Sequence, residues 1–343
     1  MDLIYTDASR FDTGVLKGYN FDLAYGKDEN DFECVIAAND HCCEADSYLY
    51  IENTEYGGIV DDISVDTAAE TVSYNGRTWH GILNSKIIVP LKASETSTAD
   101  VTLKLTDAQG GSLVGVYLII SGDANKCLEG LITRLGLDSL FAVSGVAGVN
   151  IAQYQFDRYC EGYFGILKML KSAGLKLQMA FDAVTRKTIL NAVPIVNYST
   201  DEDISSDLFD YKASRKYNSV NHLICLGQGE LADRIVVHLY ADENGNISST
   251  QSQFGAAEYV TTYENTSDDS KKTLREDGKE RLKELWAQDA MELTVNENEL
   301  EYDINDVIKT TDHITGLTAT ADITKKIVKI TDDALSIEYE AGD

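Results

Sequence analysis

Residues 72–79 read Val-Ser-Tyr-Asn-Gly-Arg-Thr-Trp, and they carry a strong local signal for the fold. Asn75 and Gly76 stand between two extended segments and both tolerate a positive φ, so the pair predicts a two-residue β-hairpin. The segments before it are also strand-like, with turns at residues 26–31 and at Gly57-Gly58. Short strands at close spacing in the first 95 or so residues predict a barrel or a sandwich.

The middle of the chain changes to helical spacing. Asp123 is a good N-cap, Gly136 is a good stop, and the apolar residues between them recur every three or four positions. A second helix is predicted from about Asp157 to Ala173. After it, residues 175–181 and 188–196 read as two strands around Asp-Ala-Val-Thr-Arg-Lys, which predicts a β-hairpin. This part is expected to form a compact α/β insertion.

Strand patterns return towards the end of the chain. Residues 219–226 and 234–240 read as strands, and Glu243 to Asn246 reads as a turn. The longest predicted helix runs from Ser270 to Ala290 and contains Gly278. The last 50 or so residues alternate again, in four strand-length runs at 306–309, 318–323, 327–330 and 335–339. They predict a second small β unit.

Composition and charge narrow the class of protein. The 343 residues suffice for two to four domains of roughly 100–150 residues. With 57 acidic against 29 basic side chains the formal charge is −28, which argues against binding nucleic acid or anionic lipid. The sequence shows no signal peptide and no membrane span, so synthesis in a cytoplasm is expected. Six widely spaced cysteines without a C-x-x-C pair predict reduced, mostly buried thiols.

A possible nucleotide motif stands at Gly227-Gln228-Gly229-Glu230-Leu231-Ala232, directly after an apolar strand. A dinucleotide site needs a helix next, with its N-terminus facing the pyrophosphate. Only a few residues separate this stretch from the next β-branched run, which leaves room for a hairpin turn and none for a crossover helix. Turn glycines are therefore the favoured interpretation.

Other candidate sites are equally weak. The five histidines include no pair at helical spacing, which argues against a zinc helix, and the nucleophile motif G-x-S-x-G is absent. A zinc site of Cys34, His41, Cys42 and Cys43 is possible, but a packed loop is favoured because the spacing matches no common ligand pattern. Asp242 to Asn246 resembles a calcium loop less than a hairpin turn. Trp79 and the 19 tyrosines could bind sugar but more often pack on sheets. We therefore predict no catalytic, cofactor-binding or metal-binding residues, no cofactor and no enzymatic activity.

Six segments of the sequence, taken in their order along the chain, resemble segments of a known protein family. They are Lys27-Asp28-Glu29-Asn30-Asp31-Phe32-Glu33, Thr54-Glu55-Tyr56-Gly57-Gly58-Ile59-Val60-Asp61, Tyr74-Asn75-Gly76-Arg77-Thr78-Trp79-His80-Gly81-Ile82-Leu83, Asn218-Ser219-Val220-Asn221-His222 leading to Leu226-Gly227-Gln228-Gly229, the helix with Leu274, Gly278, Leu282 and Leu285, and Tyr302-Asp303-Ile304-Asn305-Asp306-Val307-Ile308 followed by Gly316 and Ile323-Thr324-Lys325-Lys326. Over nearly its whole length the chain resembles the baseplate hub proteins of siphophage and prophage tails.

The resemblance implies an α+β, mainly β fold with two small antiparallel barrels and α/β insertions. The predicted division is a first barrel at 1–110 plus 205–255, an α/β insertion at 111–204, and a helix plus second barrel at 256–343. Three copies would close into a hub ring at the virion tail tip, assembled in the cytoplasm of a bacterial host. The implied partners are the tail tube protein, the distal tail protein, the tape-measure protein and a spike, fibre or receptor-binding protein. Longer relatives continue into receptor-binding or peptidoglycan-cleaving regions, so the end at Asp343 predicts a separate protein for those tasks.

Two other functions stay open, a peptidoglycan hydrolase and a glycan-binding surface protein. The first would need an acid/base pair in a cleft, and the second would normally need an export signal. The acidity also has two interpretations. It either serves solubility, or it lines a channel and repels the phosphates of passing DNA.

Overall fold

Strands make up most of the secondary structure in the computed structural model, which describes residues 1–198, 209–215, 219–267, 270–286, 289–295, 302–311, 318–331 and 334–342. The first twelve strands are β1 (Ile4–Thr6), β2 (Asp12–Val15), β3 (Asn20–Gly26), β4 (Asn30–Ala37), β5 (Tyr48–Tyr50), β6 (Gly57–Asp66), β7 (Thr71–Thr78), β8 (Ile87–Ile88), β9 (Val101–Leu103), β10 (Ile119–Asp123), β11 (Phe141–Val143) and β12 (Asn150–Gln155). The others are β13 (Cys160–Glu161), β14 (Leu175–Asp182), β15 (Lys187–Pro194), β16 (Phe209–Arg215), β17 (His222–Leu226), β18 (Val236–Ala241), β19 (Ile247–Ser248), β20 (Val260–Glu264), β21 (Asp289–Val295), β22 (Val307–Thr311), β23 (Thr318–Thr331) and β24 (Ala334–Gly342). The helices are α1 (Trp79–Asn84), α2 (Ala124–Leu135), α3 (Gly162–Lys171) and α4 (Lys271–Trp286).

The largest sheet joins the two ends of the chain. Its strands follow the order β16-β21-β24-β23-β3-β4-β7-β6-β5-β1-β2, with β22 beside β23. The central pairing is antiparallel and places Leu23 of β3 opposite Val328 of β23. The mainly β prediction is confirmed. Among the described residues no sheet closes into a barrel, so the two predicted barrels are not confirmed.

Contacts divide the chain into two compact units. The first comprises Met1–Tyr211, Glu292–Ile314 and Thr320–Asp343, and the second comprises Lys212–Met291 and Thr315–Ala319. Strands β17 and β18 share the second unit with α4, while the last strands share a sheet with β3. Pairing between strands that are distant in sequence leaves no mark on local patterns.

The second unit is a four-stranded sheet covered by one helix. The strand order is β19-β18-β17-β20, and β20 runs parallel to β17. Helix α4 packs on one face, where it forms a core with strands β17 and β18 that includes Leu223, Cys225, Val237, Leu239, Leu274 and Leu282. No described helix is long and apolar enough to cross a membrane.

The ends of α2 follow the sequence closely. The Asp123 carboxylate accepts the backbone N–H groups of Asn125 and Lys126, at 3.0 and 3.3 Å, and Gly136 ends α2 with φ of 71°. The predicted hairpin at residues 175–196 is also present, as β14 and β15. Helix α3 begins at Gly162, five residues later than expected, and α4 ends at Trp286, before the predicted end.

Two predicted turns are wrong. Asn75 and Gly76 lie inside β7, which pairs with β4 on one side and β6 on the other. Gly57 and Gly58 open β6, and the chain turns before them, at residues 52–55. The glycines are needed here for close backbone approach, because a Cβ added at Gly76 would lie 1.9 Å from the carbonyl oxygen of Ile59.

Two of the glycines inside helices, Gly278 and Gly130, predict opposite effects of alanine. A Cβ at Gly278 would lie 2.4 Å from Cys225 Sγ, whereas a Cβ at Gly130 would come no closer than 4.0 Å to any neighbour. We expect Gly278→Ala to lower the free energy of unfolding by about 1–3 kcal/mol through overpacking. The control Gly130→Ala should raise it by about 0.5–1 kcal/mol through helix propensity. Urea denaturation of both variants tests this, and equal effects would contradict the packing around Gly278.

A buried ionic centre as the candidate functional site

A β-bulge turns one lysine of β23 into the core. The register between β23 and β24 shifts between Ile323 and Lys325. The next side chain after Ile323 to point into the core is therefore that of Lys326 and not that of Lys325. Lys326 is 2% exposed and continues the buried row with Val328. Bulges re-aim side chains in this way. The sequence prediction of two runs, 318–323 and 327–330, is corrected to one strand with a bulge.

Glu55 is the main partner of Lys326. The Lys326 ammonium donates to Glu55 Oε1 at 2.7 Å, and the Tyr25 hydroxyl donates to the same oxygen. His80 Nε2 lies 3.6 Å from Glu55 Oε2, and the His80 ring stacks on Tyr25 with centroids 4.0 Å apart. The turn before β6 supplies the acid, α1 supplies the imidazole and β23 supplies the cation.

The charges in this cluster stabilise each other. Burial alone would raise the pKa of Glu55, but the Lys326 ammonium and the His80 hydrogen bond outweigh burial and lower it. Burial likewise would lower the pKa of Lys326, yet the Glu55 carboxylate and neighbouring tyrosines raise it. Both shifts favour the ionised pair. Its contribution to stability is therefore present at neutral pH, and it is lost as the pH falls through the lowered pKa of Glu55 or rises through the raised pKa of Lys326.

A second ion cluster lies close to the first. The Lys176 ammonium on β14 is 2.6 Å from Asp303 Oδ2 and 2.7 Å from Asp306 Oδ2. Asp306 is fully buried, and its carboxylate also accepts the backbone N–H groups of Val196 and Asp303, each at 2.9 Å. Burial raises the pKa of Asp303 and the Glu55 charge adds to this, so the two clusters interact. Together, Glu55, His80, Lys176, Asp303, Asp306 and Lys326 form what we call the buried ionic centre.

The buried ionic centre contains an acid, a base and an imidazole, but its surroundings do not suit turnover. Its charges are paired at short range, and His80 and Lys326 are almost fully buried. Two grooves in the described part of the chain, of about 520 Å³ beside α2 and about 460 Å³ over β4 and β7, are lined by other residues. The arrangement can tie together five distant parts of the chain, which is a structural task.

The groove of about 460 Å³ lies on an acidic face of the large sheet. Its lining includes the carboxylates of Asp22, Glu29, Asp31, Glu33, Asp61 and Asp62. The basic residue in this lining is Arg77, whose guanidinium is bound to Asp61 at 2.7 Å. Burial raises the pKa of Asp22, and the charges of Glu338, Glu33 and Glu29 add to the effect. This surface, which we call the acidic face, concentrates negative charge in the first unit.

The possible nucleotide motif is a hairpin turn. Strands β17 and β18 pair antiparallel on either side of it, and the Gly227 N–H donates to the Ile235 carbonyl at 2.8 Å. Within the described stretch 219–267, only a 3-10 turn at Leu231–Asp233 lies between the two strands, and this short turn is not the crossover helix that a dinucleotide site needs. The interpretation as turn glycines is confirmed.

The other sequence candidates are packed or paired locally. His41 Nδ1 is 2.9 Å from the Tyr74 hydroxyl oxygen, which also accepts the N–H groups of Cys42 and Cys43. Within the described ranges no group of three or more His, Cys, Asp or Glu residues is arranged to hold a metal. The Asp242 carboxylate accepts N–H groups of its own turn. Trp79 is 1% exposed and stacks on Phe181, so it belongs to the core.

Sequence reasoning did not find the buried ionic centre. Glu55, His80 and Lys326 all lie in the sequence segments that carry the family resemblance, but no local pattern indicates that they are partners. The available signal was a lysine pair, Lys325-Lys326, inside an otherwise alternating strand. Such a pair cannot place both side chains outside unless a bulge intervenes.

Comparison with known proteins gives a match in structure alone. No family matches the sequence, and no curated protein matches it. Among solved structures, the chain is similar over 100% of its length to 94% of the prophage tail protein gp18 from Listeria monocytogenes, with a TM-score of 0.51 and 12% identity. It is also similar over 99% of its length to 98% of the 43 kDa tail protein of prophage MuSo2 from Shewanella oneidensis, with a TM-score of 0.50 and 12% identity.

These likenesses define the class of protein by its fold. The chain has the fold of phage and prophage tail proteins, which confirms the resemblance inferred from the sequence. Because both likenesses extend over nearly the whole of each chain, the fold is shared as a whole and not through one small domain.

Proposed function

We propose that this chain is a structural component of a phage or prophage tail tip and forms a trimeric baseplate hub ring. The observation that carries the proposal is the end-to-end likeness to two prophage tail proteins. In this role the ring joins the tail tube and the distal tail protein to the spike, fibre, receptor-binding or lytic parts. The two barrels expected of a hub belong to the same proposal, as does the three-part domain division.

The buried ionic centre supports a structural role without catalysis. Its charges compensate each other inside the core, and they connect β14, the turn before β6, α1, the segment before β22, and β23. A ring subunit has to keep its shape under load when a tail contracts or ejects DNA. Buried charge pairs suit that need, because breaking one partner is costly.

The acidic face suggests a function for the negative net charge of the chain. Carboxylates that line a channel repel DNA phosphates, so a genome passes without binding. We propose that the acidic face of the assembled ring points to the lumen, which the tape-measure protein occupies before ejection. A neutral or basic lumen in the assembled ring would contradict this part of the proposal.

The function is tested on the phage or prophage that encodes the chain. We expect deletion of the gene to stop the formation of complete tails, and complementation with the intact chain to restore them. Antibodies against the chain should label the tail tip in electron micrographs. Labelling along the shaft, or normal tails after deletion, would contradict the proposal.

The proposed trimer is tested by a separate measurement of how many copies of the chain the ring contains. We expect mass photometry to show three copies per ring when the chain is mixed with the tail tube or distal tail protein encoded beside it. The isolated chain is a weaker test, because such rings depend on concentration and partners. Particles of another stoichiometry would contradict the ring, and cell-wall cleavage in zymograms or specific binding on glycan arrays would favour the alternative functions.

A further inference from the structure

Strand β20 lies at the edge of the sheet in the second unit, and every second residue of it bonds to β17. The His222 N–H of β17 donates to the Tyr259 carbonyl at 3.1 Å, and the Asn265 N–H donates to the Leu226 carbonyl at 2.9 Å. In the parallel register these bonds assign the odd-numbered residues of β20 to the pairing with β17. The backbone groups that point away from the sheet belong to three residues, which we call the outward residues of β20: Val260, Thr262 and Glu264.

The outward residues of β20 are exposed and form an open edge. Val260 is 48% exposed, and Thr262 and Glu264 are exposed as well. Across the described ranges of the chain, their backbone N–H and C=O groups form no hydrogen bond. The Glu264 side chain is bound to the Arg234 guanidinium, which leaves the backbone of Glu264 uncovered. A row of unpaired backbone groups is a template on which another strand can pair.

Other edge strands of the chain are protected in ways that β20 is not. Strand β19, at the opposite edge of the same sheet, has only two residues. At the edge strand β9, the Leu103 N–H donates to the Ser97 hydroxyl and the Thr98 N–H donates to the Val101 carbonyl, each at 2.9 Å, so the chain covers this edge itself. By contrast, β20 has five residues, Val-Thr-Thr-Tyr-Glu, without lysine, proline or a bulge. Valine, threonine and tyrosine also favour the extended conformation that pairing requires.

We propose that β20 binds an extended, basic segment of another protein, which adds a fifth strand to the sheet of the second unit. Backbone hydrogen bonds to the outward residues of β20 supply the affinity, and alternate side chains of the segment supply the specificity. Val260 lies opposite His222, on the face that α4 does not cover, because Leu223 and Cys225 point towards α4. Apolar side chains of the segment on that face cover Val260.

Charge complementarity selects a basic segment. Residues 250–267, which contain β20 and the loop before it, include the carboxylates of Glu258 and Glu264 and no lysine or arginine. The net charge of the chain is −28, so its field attracts a cationic segment and repels a second copy of the same chain. The Arg234 guanidinium lies close to this edge, but Glu264 compensates its charge.

The test titrates the full chain with a short synthetic peptide that alternates valine with lysine. Hydrogen exchange, resolved by amide in NMR spectra, follows the N–H groups of Val260, Thr262 and Glu264. We expect these amides to exchange fast in the free chain and to be protected at least about tenfold when the peptide saturates the edge. One control peptide carries glutamate in place of lysine, and another is N-methylated at every residue and cannot pair. Both should leave the three amides unprotected.

Two variants change the edge without removing a bond between β20 and β17. Thr262→Pro removes the central outward N–H, and proline is tolerated at an edge position whose N–H faces solvent. Val260→Lys places a positive charge on the edge, which is a common protection against pairing. Each should weaken binding of the lysine peptide at least about fivefold. Val184→Lys makes the same change at a valine that is 89% exposed in the first unit, and this control should bind as the parent does.

The outcomes separate strand addition from unspecific attraction. Circular dichroism and thermal unfolding show whether each variant is folded, and Val260→Lys keeps the test decisive if Thr262→Pro is not. Unprotected amides in the parent at millimolar peptide, or equal protection by the N-methylated peptide, would overturn the proposal. Equal protection by the glutamate peptide would contradict the choice of a basic segment. Protection that rises with the concentration of the chain alone would assign the edge to a second copy and would equally contradict the proposal. The result is independent of whether the chain forms a tail ring.

Discussion

Lys326→Met is expected to lower the free energy of unfolding by about 3–5 kcal/mol, because it leaves the Glu55 carboxylate buried without its cation. The methionine fills nearly the same space as the lysine stem, so the loss of packing is small. The loss of the charge partner is large, since Glu55 also holds the hydroxyl of Tyr25 and faces His80. Urea or guanidinium denaturation at neutral pH measures the effect.

The double variant separates charge pairing from packing. Glu55→Gln combined with Lys326→Met removes both charges, so we expect it to be more stable than Lys326→Met alone. Lys329→Met on the same strand is the matched control. Its side chain is 48% exposed, and the change should stay within about 0.5 kcal/mol. If Lys329→Met and Lys326→Met have equal effects, the buried ionic centre does not stabilise the fold.

Neutral pH is the condition for this measurement because the pKa of Glu55 is lowered in the folded chain. The contribution of Glu55 to the free energy of unfolding is therefore fully present above its unfolded pKa of about 4.3. That contribution disappears as the pH falls through the lower folded pKa. The difference between the parent and Lys326→Met should therefore shrink in acid.

Gly76→Ala is expected to cost about 3 kcal/mol or more, which is at the upper end for overpacking. The added Cβ would lie 1.9 Å from the carbonyl oxygen of Ile59 and 3.0 Å from the backbone nitrogen of Asp61. Both atoms belong to the backbone of β6, where the register with β7 shifts between Val60 and Asp62. The chain cannot relieve this contact by rotating a side chain, so β6 and β7 must separate.

The measurement is again the free energy of unfolding, compared with Ser73→Ala on the same strand. Ser73 is a half-buried position whose truncation should stay within about 0.5 kcal/mol. Hydrogen exchange of β6 and β7 adds a local readout, and we expect loss of protection in Gly76→Ala. A variant as stable as Ser73→Ala would contradict the close approach of the two strands.

Features set by a few neighbouring residues were predictable from the sequence. The N-cap Asp123, the left-handed stop at Gly136 and the β14–β15 hairpin depend on hydrogen bonds and φ values within a handful of residues. The strand content follows from alternation, which is also local. The turn at Gly227-Gln228-Gly229 was predicted correctly because the few residues before the next strand leave no room for a crossover helix.

Features that depend on distant strands were missed or misread. Asn75-Gly76 has the composition of a hairpin turn, yet it lies in a strand that pairs on both sides, where glycine lets two backbones approach. Nothing in the local sequence distinguishes these two uses of glycine. His222 and His238 are 16 positions apart, and the register of β17 against β18 decides that they touch.

By itself the sequence determined the mainly β class, the ends of α2, the hairpin turn at Gly227-Gln228-Gly229 and a resemblance to tail hub proteins, because each rests on residues that are near one another or on their order. The tertiary structure alone decided that the two ends of the chain share one sheet and that Glu55 meets Lys326, 271 positions away. The physical reason is that strand pairing and burial of charge are set by long-range register, and one bulge at Thr324 determines which lysine enters the core.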